Sequence, residues 1–134
     1  MEVNWKDSVR TLRRKAVVST FFDTIKSLGK SDPLFTIEGA IKKALCSRAP
    51  RFFVTYENAR RFVSLLVRGK EIPITNRNKL AMYKELYQRY MARAKEDIER
   101  SYLVLEDIIE EPAPSFYMDY ETFKGIVYST LRKR

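Results

Sequence analysis

Along residues 7–28 the apolar side chains fall at Val9, Leu12, Ala16, Phe21, Phe22, Ile25 and Leu28, close to the period of an α-helix. The pattern predicts a first helix that stops at Gly29, a residue suited to the left-handed backbone of a helix end. At about 100° per residue, Lys6, Arg10, Arg13 and Arg14 lie within about 100° of one another. They flank an apolar stripe begun by Trp5, Val9, Leu12 and Ala16. A shorter second helix is predicted from Thr36, a candidate N-cap, through Ile37, Ile41, Ala44 and Leu45. It must end before Pro50, because the residue preceding a proline avoids helical backbone. Phe52, Phe53 and Val54 read as a short extended segment. Thr55 then caps a third helix, with Glu57 in its first turn and Ala59, Phe62, Val63 and Leu66 as its buried stripe up to Gly69.

Residues 69–78, GKEIPITNRN, are the linker candidate. Beyond them Leu80, Tyr83, Tyr87, Tyr90, Met91, Ala94, Ile98, Tyr102, Leu105 and Ile109 keep helical spacing without Pro or Gly. This predicts one helix near 78–109, about 45 Å long at 1.5 Å per residue. Asp119 then caps a terminal helix from Tyr120 to about Leu131. The expectation is an all-α fold of about five helices in a single domain, 1–134.

A repeat cuts across this order. APRFFVTYE at 49–57 and APSFYMDYE at 113–121 lie 64 positions apart and share Ala, Pro, the first Phe, Tyr and Glu. At the same offset Ile41, Ala44 and Leu45 fall on Leu105, Ile108 and Ile109, and Phe62 and Val63 on Ile126 and Val127. Thr11, Arg13 and Lys15 fall on Thr75, Arg77 and Lys79. The chain is therefore expected to use one helix-corner-helix unit twice, in tandem units 1–68 and 69–134. Residues common to both copies most simply build the corner: Pro fixes the turn, Phe52 and Phe116 are buried, and the Glu residues support helix starts. Tyr56 and Tyr120 are the alternative, a pair of recognition positions.

Composition narrows the chemistry. The 134 residues are 45% hydrophobic and include no histidine, which removes the usual general base and zinc ligand. No Gly-rich phosphate loop, GxSxG or HExxH is present. A protein without catalytic function, cofactor, metal or small-molecule substrate is expected. The single Cys46 cannot close a disulfide within the chain and fits a reducing compartment. No apolar run approaches the roughly 20 residues of a membrane span, and MEVNWKDSVR carries charge where a signal peptide needs an apolar core. A cytoplasmic protein without membrane contact is expected.

Charge is unevenly placed. Residues 1–95 hold 21 Lys and Arg against eight acids, net +13, whereas 96–121 hold nine acids against Arg100, net −8. The last thirteen residues add +4. A basic body can meet nucleic-acid phosphates. Alternatively, the 96–121 segment, with Glu106, Asp107, Glu110 and Glu111, can dock on the basic body of a neighbouring copy or another partner and build an assembly. These acids lack the glycine-bearing loop of a calcium site.

The two corners differ where they carry charge. Arg48, Arg51, Arg60 and Arg61 correspond to Pro112, Ser115, Lys124 and Gly125, so the first corner is the candidate anion contact. Its helix-corner-helix order loosely resembles a helix-turn-helix, although the connection, 47–54, exceeds the usual three or four residues. Tyr83, Tyr87 and Tyr90 alternate with Lys84, Arg89 and Arg93, a spacing that suits either core packing or base stacking beside a basic track. The candidate nucleic-acid contacts are thus Lys6, Arg10, Arg13, Arg14, Arg48, Arg51, Arg60 and Arg61.

The blocks APRFFVTYENARRFVSLL and APSFYMDYETFKGIVYSTL resemble ones in small helical proteins of gut anaerobes and of their phages and mobile elements. The resemblance rests on the Ala-Pro, aromatic-pair and Tyr-Glu signature over about a quarter of the chain. It implies a phage or mobile-element role, including that of a virion component, and assigns no activity to any residue.

Overall fold

The structure, a computed structural model, describes residues 5–32, 34–95 and 101–132. Its helices begin where short polar side chains precede apolar periods. Thr36 accepts from the Gly39 amide at 3.0 Å and opens α2 (Ile37–Leu45). Thr55 accepts from the Asn58 amide at 3.2 Å and opens α3 (Tyr56–Val67). Asn76 does the same for the Lys79 amide at 3.0 Å and opens α4 (Arg77–Ala94). Asp119 takes the Thr122 amide at 2.8 Å at the head of the last helix, Tyr120–Arg132. Each cap satisfies an amide that the first helical turn leaves without a partner.

Helix ends follow two rules. α3 stops on Gly69, whose φ of 75° lets its amide reach the Leu66 carbonyl at 2.9 Å while the Lys70 amide reaches Leu65 at 2.9 Å. This is the glycine-terminated double cap expected there. α1 (Trp5–Ser31) runs through Gly29 instead of stopping on it. It ends where residue 33 is proline, which cannot donate and disfavours helical backbone before it.

The predicted single helix near 78–109 is two helices, α4 and α5 (Ser101–Ile109), with residues 96–100 outside those described. The last helix, Tyr120–Arg132, is α6, so the described residues hold six helices where about five were expected. Arg93, near the end of α4, bonds Glu111, just past α5. On one straight helix these residues would stand about 27 Å apart. α5 therefore turns back and packs on α4 and α3.

The helices gather in two compact units. One comprises 1–49 and 113–134 and contains α1, α2 and α6, each packed on the other two. The second comprises 50–112 and contains α3, α4 and α5, likewise in mutual contact. These bounds differ from the tandem halves 1–68 and 69–134. The first unit is discontinuous, and its two segments meet in an antiparallel bridge: Ala49 and Ala113 exchange amide and carbonyl bonds of 3.0 and 2.9 Å. Both alanines are 1% exposed. That isolated bridge is the sole β pairing among the described residues.

Each unit has its own aromatic and aliphatic core. In the first, Val17, Phe21, Ile41, Ala44, Phe123 and Val127 are buried, and Phe116 meets Phe123 edge-on at 5.6 Å. In the second, Phe52, Ala59, Phe62, Leu86 and Ile108 are buried, and the Phe52 amide donates to the Ile109 carbonyl at 2.9 Å. Tyr83 belongs to this core, its ring 4.8 Å from that of Phe62 and its phenol pushed up by burial.

Candidate anion-binding surface

The two units share the charge unequally. The first carries fourteen Lys and Arg against seven acids, net +7; the second carries twelve against ten, net +2. The acidic run that stands out in the sequence thus belongs mostly to the unit that also holds Arg89 and Arg93, and part of it is neutralised there.

In the second unit Arg89 is held from several sides. Its Nε donates to Glu85 at 2.8 Å, its Nη1 donates to the Pro112 carbonyl at 3.2 Å and lies 3.5 Å from Glu111, and its guanidinium covers the Phe52 ring at 5.0 Å. Arg93 donates through both Nη atoms to the two carboxylate oxygens of Glu111, one at 2.7 Å. The bonds from Arg93, reinforced by its charge and that of Arg89, hold the Glu111 carboxyl below the usual range against a smaller opposing effect of burial. Of the basic track on α4, Arg89 and Arg93 are therefore engaged inside their own unit, whereas Lys84 is exposed.

In the first unit the arginines of α1 find little of this. Leu12, part of the apolar stripe of α1, is 41% exposed. The buried face follows Val17, Phe21 and Thr24, and one turn before Val17 it passes through Arg13, which is half-buried. Thr24 joins this face by donating its hydroxyl to the Thr20 carbonyl at 2.8 Å. The Arg13 Nε is buried without a hydrogen-bond partner. Burial first, then the charges of Arg10 and Arg14, hold its guanidinium below the usual arginine range. At neutral pH it stays charged, because arginine starts so high. Arg14 donates to the Ser129 hydroxyl of α6 at 3.3 Å, and Arg10 is exposed. No described ion pair brings a carboxylate to these three residues. The Lys6 side chain lies outside the described residues.

The four arginines of the first corner do not form one group within a unit. Arg48 is exposed and belongs to the first unit, whereas Arg51, Arg60 and Arg61 belong to the second. Arg51 bonds the Phe52 carbonyl through Nε at 3.1 Å, and Arg61 lies over the Phe62 ring at 5.4 Å. Ten residues separate α2 from α3, and each helix finds its packing partners in its own unit, so the helix-turn-helix comparison fails. Glu106, Asp107 and Glu110 are exposed on and after α5, while Glu111 is engaged by Arg93.

A cleft of about 470 Å³ in the second unit answers to no motif of the sequence; it is lined by Tyr56, Arg60 and Ser64 of α3 and Arg68 at its C-cap, with Tyr90 of α4 and Leu105 of α5. No metal-ligating cluster is present among the described residues, and no helix among them is long and apolar enough to cross a membrane. Against protein families, curated proteins and solved structures, the chain finds no match.

Proposed function

We propose that this protein binds nucleic acid, without catalysis, and that the arginine face of α1 in the first unit meets the sugar-phosphate backbone. The observation that carries the reading is Arg13. A guanidinium on the buried face of a helix, beside two like charges and with an unpartnered Nε, costs stability that an aliphatic side chain would not. A phosphate held at the solvent edge of this face, by Arg10 and the outer nitrogens of Arg13 and Arg14, would relieve the repulsion among the three guanidinium groups. The net +7 of the same unit supplies the long-range attraction. The alternative, in which Glu106, Asp107, Glu110 and Glu111 dock on a neighbour, has less support, since Glu111 is already paired in its own chain.

Anisotropy of a labelled random DNA duplex between about 50 and 200 mM salt tests the proposal. Each phosphate contact contributes about 0.9 to the slope of log affinity against log salt. The triple variant Arg10→Gln, Arg13→Met, Arg14→Gln is expected to reduce that slope by about 3. An affinity that ignores salt, or a slope untouched by the triple variant, removes the proposal.

We also read the six helices as two copies of a three-helix element that have exchanged their third helices. At the offset of 64, α1, α2 and α3 correspond to α4, α5 and α6. Each unit then holds the first two helices of one copy and the third of the other. The reciprocal Ala49–Ala113 bridge is the contact that equivalent corners would make. On this reading one copy kept an open basic helix, and the second filled the matching helix with internal ion pairs. Cleavage of the chain within 70–75 should then leave the two pieces eluting as one particle without denaturant, because α3 and α6 tie them together. Separation on cleavage would sink the exchange.

A further inference from the structure

The cleft along α3 has a composition that the α1 surface lacks. Tyr56, Arg60, Ser64, Val67 and Arg68 succeed one another along one side of α3 and its C-terminal end, and Val63, Tyr90 of α4 and Leu105 of α5 complete the wall. Both charged lining residues are arginines, and neither makes an ion pair among the described residues. Arg60 and Arg68 stand about 12 Å apart along the axis, eight residues at 1.5 Å each. Val63, Ser64 and Val67 lie between them in sequence, Tyr56 stands one turn before Arg60, and Tyr90 and Leu105 come from the other two helices. The volume, about 470 Å³, falls in the range of small-ligand sites.

An anion without an apolar body would leave this wall uncovered, and an apolar ligand without charge would leave two guanidinium groups facing it. We propose that the cleft takes an unpaired nucleotide of a single-stranded nucleic acid, with the base against Tyr90 and Tyr56 and the flanking phosphates on Arg60 and Arg68. Aromatic stacking accepts any base, because every base presents a π-face, so the site recognises the unpaired state and not a sequence. The proposal extends the nucleic-acid reading from phosphate contact to a second, base-dependent contact in the other unit. A paired base cannot enter without leaving its stack, which separates single strands from duplexes.

The test compares labelled oligothymidine of about 12 nucleotides with an abasic strand of equal length, for the full chain and two variants. Tyr90→Leu keeps apolar bulk in the wall and removes the π-face. The second variant, Arg60→Gln with Arg68→Gln, removes the charges at two exposed positions. Expected is at least about a tenfold preference of the wild type for bases over the abasic strand. Tyr90→Leu should bring this ratio near one while leaving duplex affinity unchanged. The double glutamine variant should weaken both strands. Thermal unfolding of the variants by circular dichroism checks that they remain folded. Equal affinity for the two strands, or a base preference that survives Tyr90→Leu, overturns the site. So does sedimentation showing a second copy in the cleft that oligothymidine does not displace. Because duplex affinity is read on the α1 face, loss of the cleft proposal and loss of the backbone reading give different results.

Discussion

Two arginine-bearing helices, α1 in one unit and α4 in the other, look alike in the sequence and behave differently in the fold. On α4 the guanidinium groups of Arg89 and Arg93 are spent on Glu85, Glu111, the Pro112 carbonyl and the Phe52 ring. On α1, Arg13 has a buried Nε without an acceptor, and its nearest charged influences are Arg10 and Arg14. The first arrangement does the work of a core contact. The second accumulates repulsion that the fold does not relieve. A basic residue count therefore says little until each cation is followed to its partner.

Exchanging the two sets of charges should separate binding from stability, and this is the largest effect expected. Arg89→Gln with Arg93→Gln should cost about 1–3 kcal/mol in urea unfolding, since it leaves Glu111 half-buried and unpaired. Duplex affinity should stay within about twofold, because both guanidinium groups are already engaged by carboxylates of their own unit. Arg10→Gln with Arg14→Gln should do the reverse, lowering duplex affinity by about 10- to 100-fold at low salt and leaving the unfolding free energy within about 0.5 kcal/mol. Any result in which both pairs change the same property would abolish the distinction between the units.

Arg13 sharpens the comparison inside a single residue. Arg13→Met keeps an unbranched stem on the buried face and removes both the unpartnered Nε and the repulsion from Arg10 and Arg14. Stability should rise by about 0.5–1 kcal/mol while duplex affinity falls, a trade-off common where function holds a strained group in place. A stability loss in the same urea measurement would show that the guanidinium is already satisfied by the fold.

How much of this could be read from the residues varies with the range of the interactions. Thr36, Thr55 and Asp119 were legible as caps because a cap joins residues three apart, and Gly69 because a double-bonded helix end needs only local backbone. The break between α4 and α5 was not legible: no Pro or Gly marks it, and the reversal is tied by Arg93 and Glu111, eighteen positions apart. The α1 stripe was misread for a different reason. Hydrophobicity chose Leu12, whereas the buried Val17, Phe21 and Thr24 fix the rotation of the helix and place Arg13 inward. Continuing the stripe one turn back from Val17 would have found it. The cleft joins residues of α3 to Tyr90 and Leu105, on two other helices, so no local pattern could reveal it.

The smallest expected effect isolates the carboxylate that pairs with α4 from just past the end of α5. The Glu111 carboxyl titrates below the usual glutamate range, chiefly through its bonds to Arg93. A depressed folded value means that the carboxylate stabilises the fold fully above the unfolded value of about 4.3 and loses that contribution as pH falls through the lower folded value. Glu111→Gln should therefore cost about 0.5–1 kcal/mol at pH near 7, the range for a partly screened pair, and the difference from wild type should shrink as pH drops below about 4. Asp119, whose carboxyl is lowered by its bonds to Thr122, remains in both proteins and leaves each with some acid sensitivity. Urea unfolding of the two proteins at neutral and acid pH measures the difference. A gap that stays constant with pH would mean that Glu111 acts through the shape and hydrogen bonding of its side chain, and that α4 is filled by geometry more than by charge.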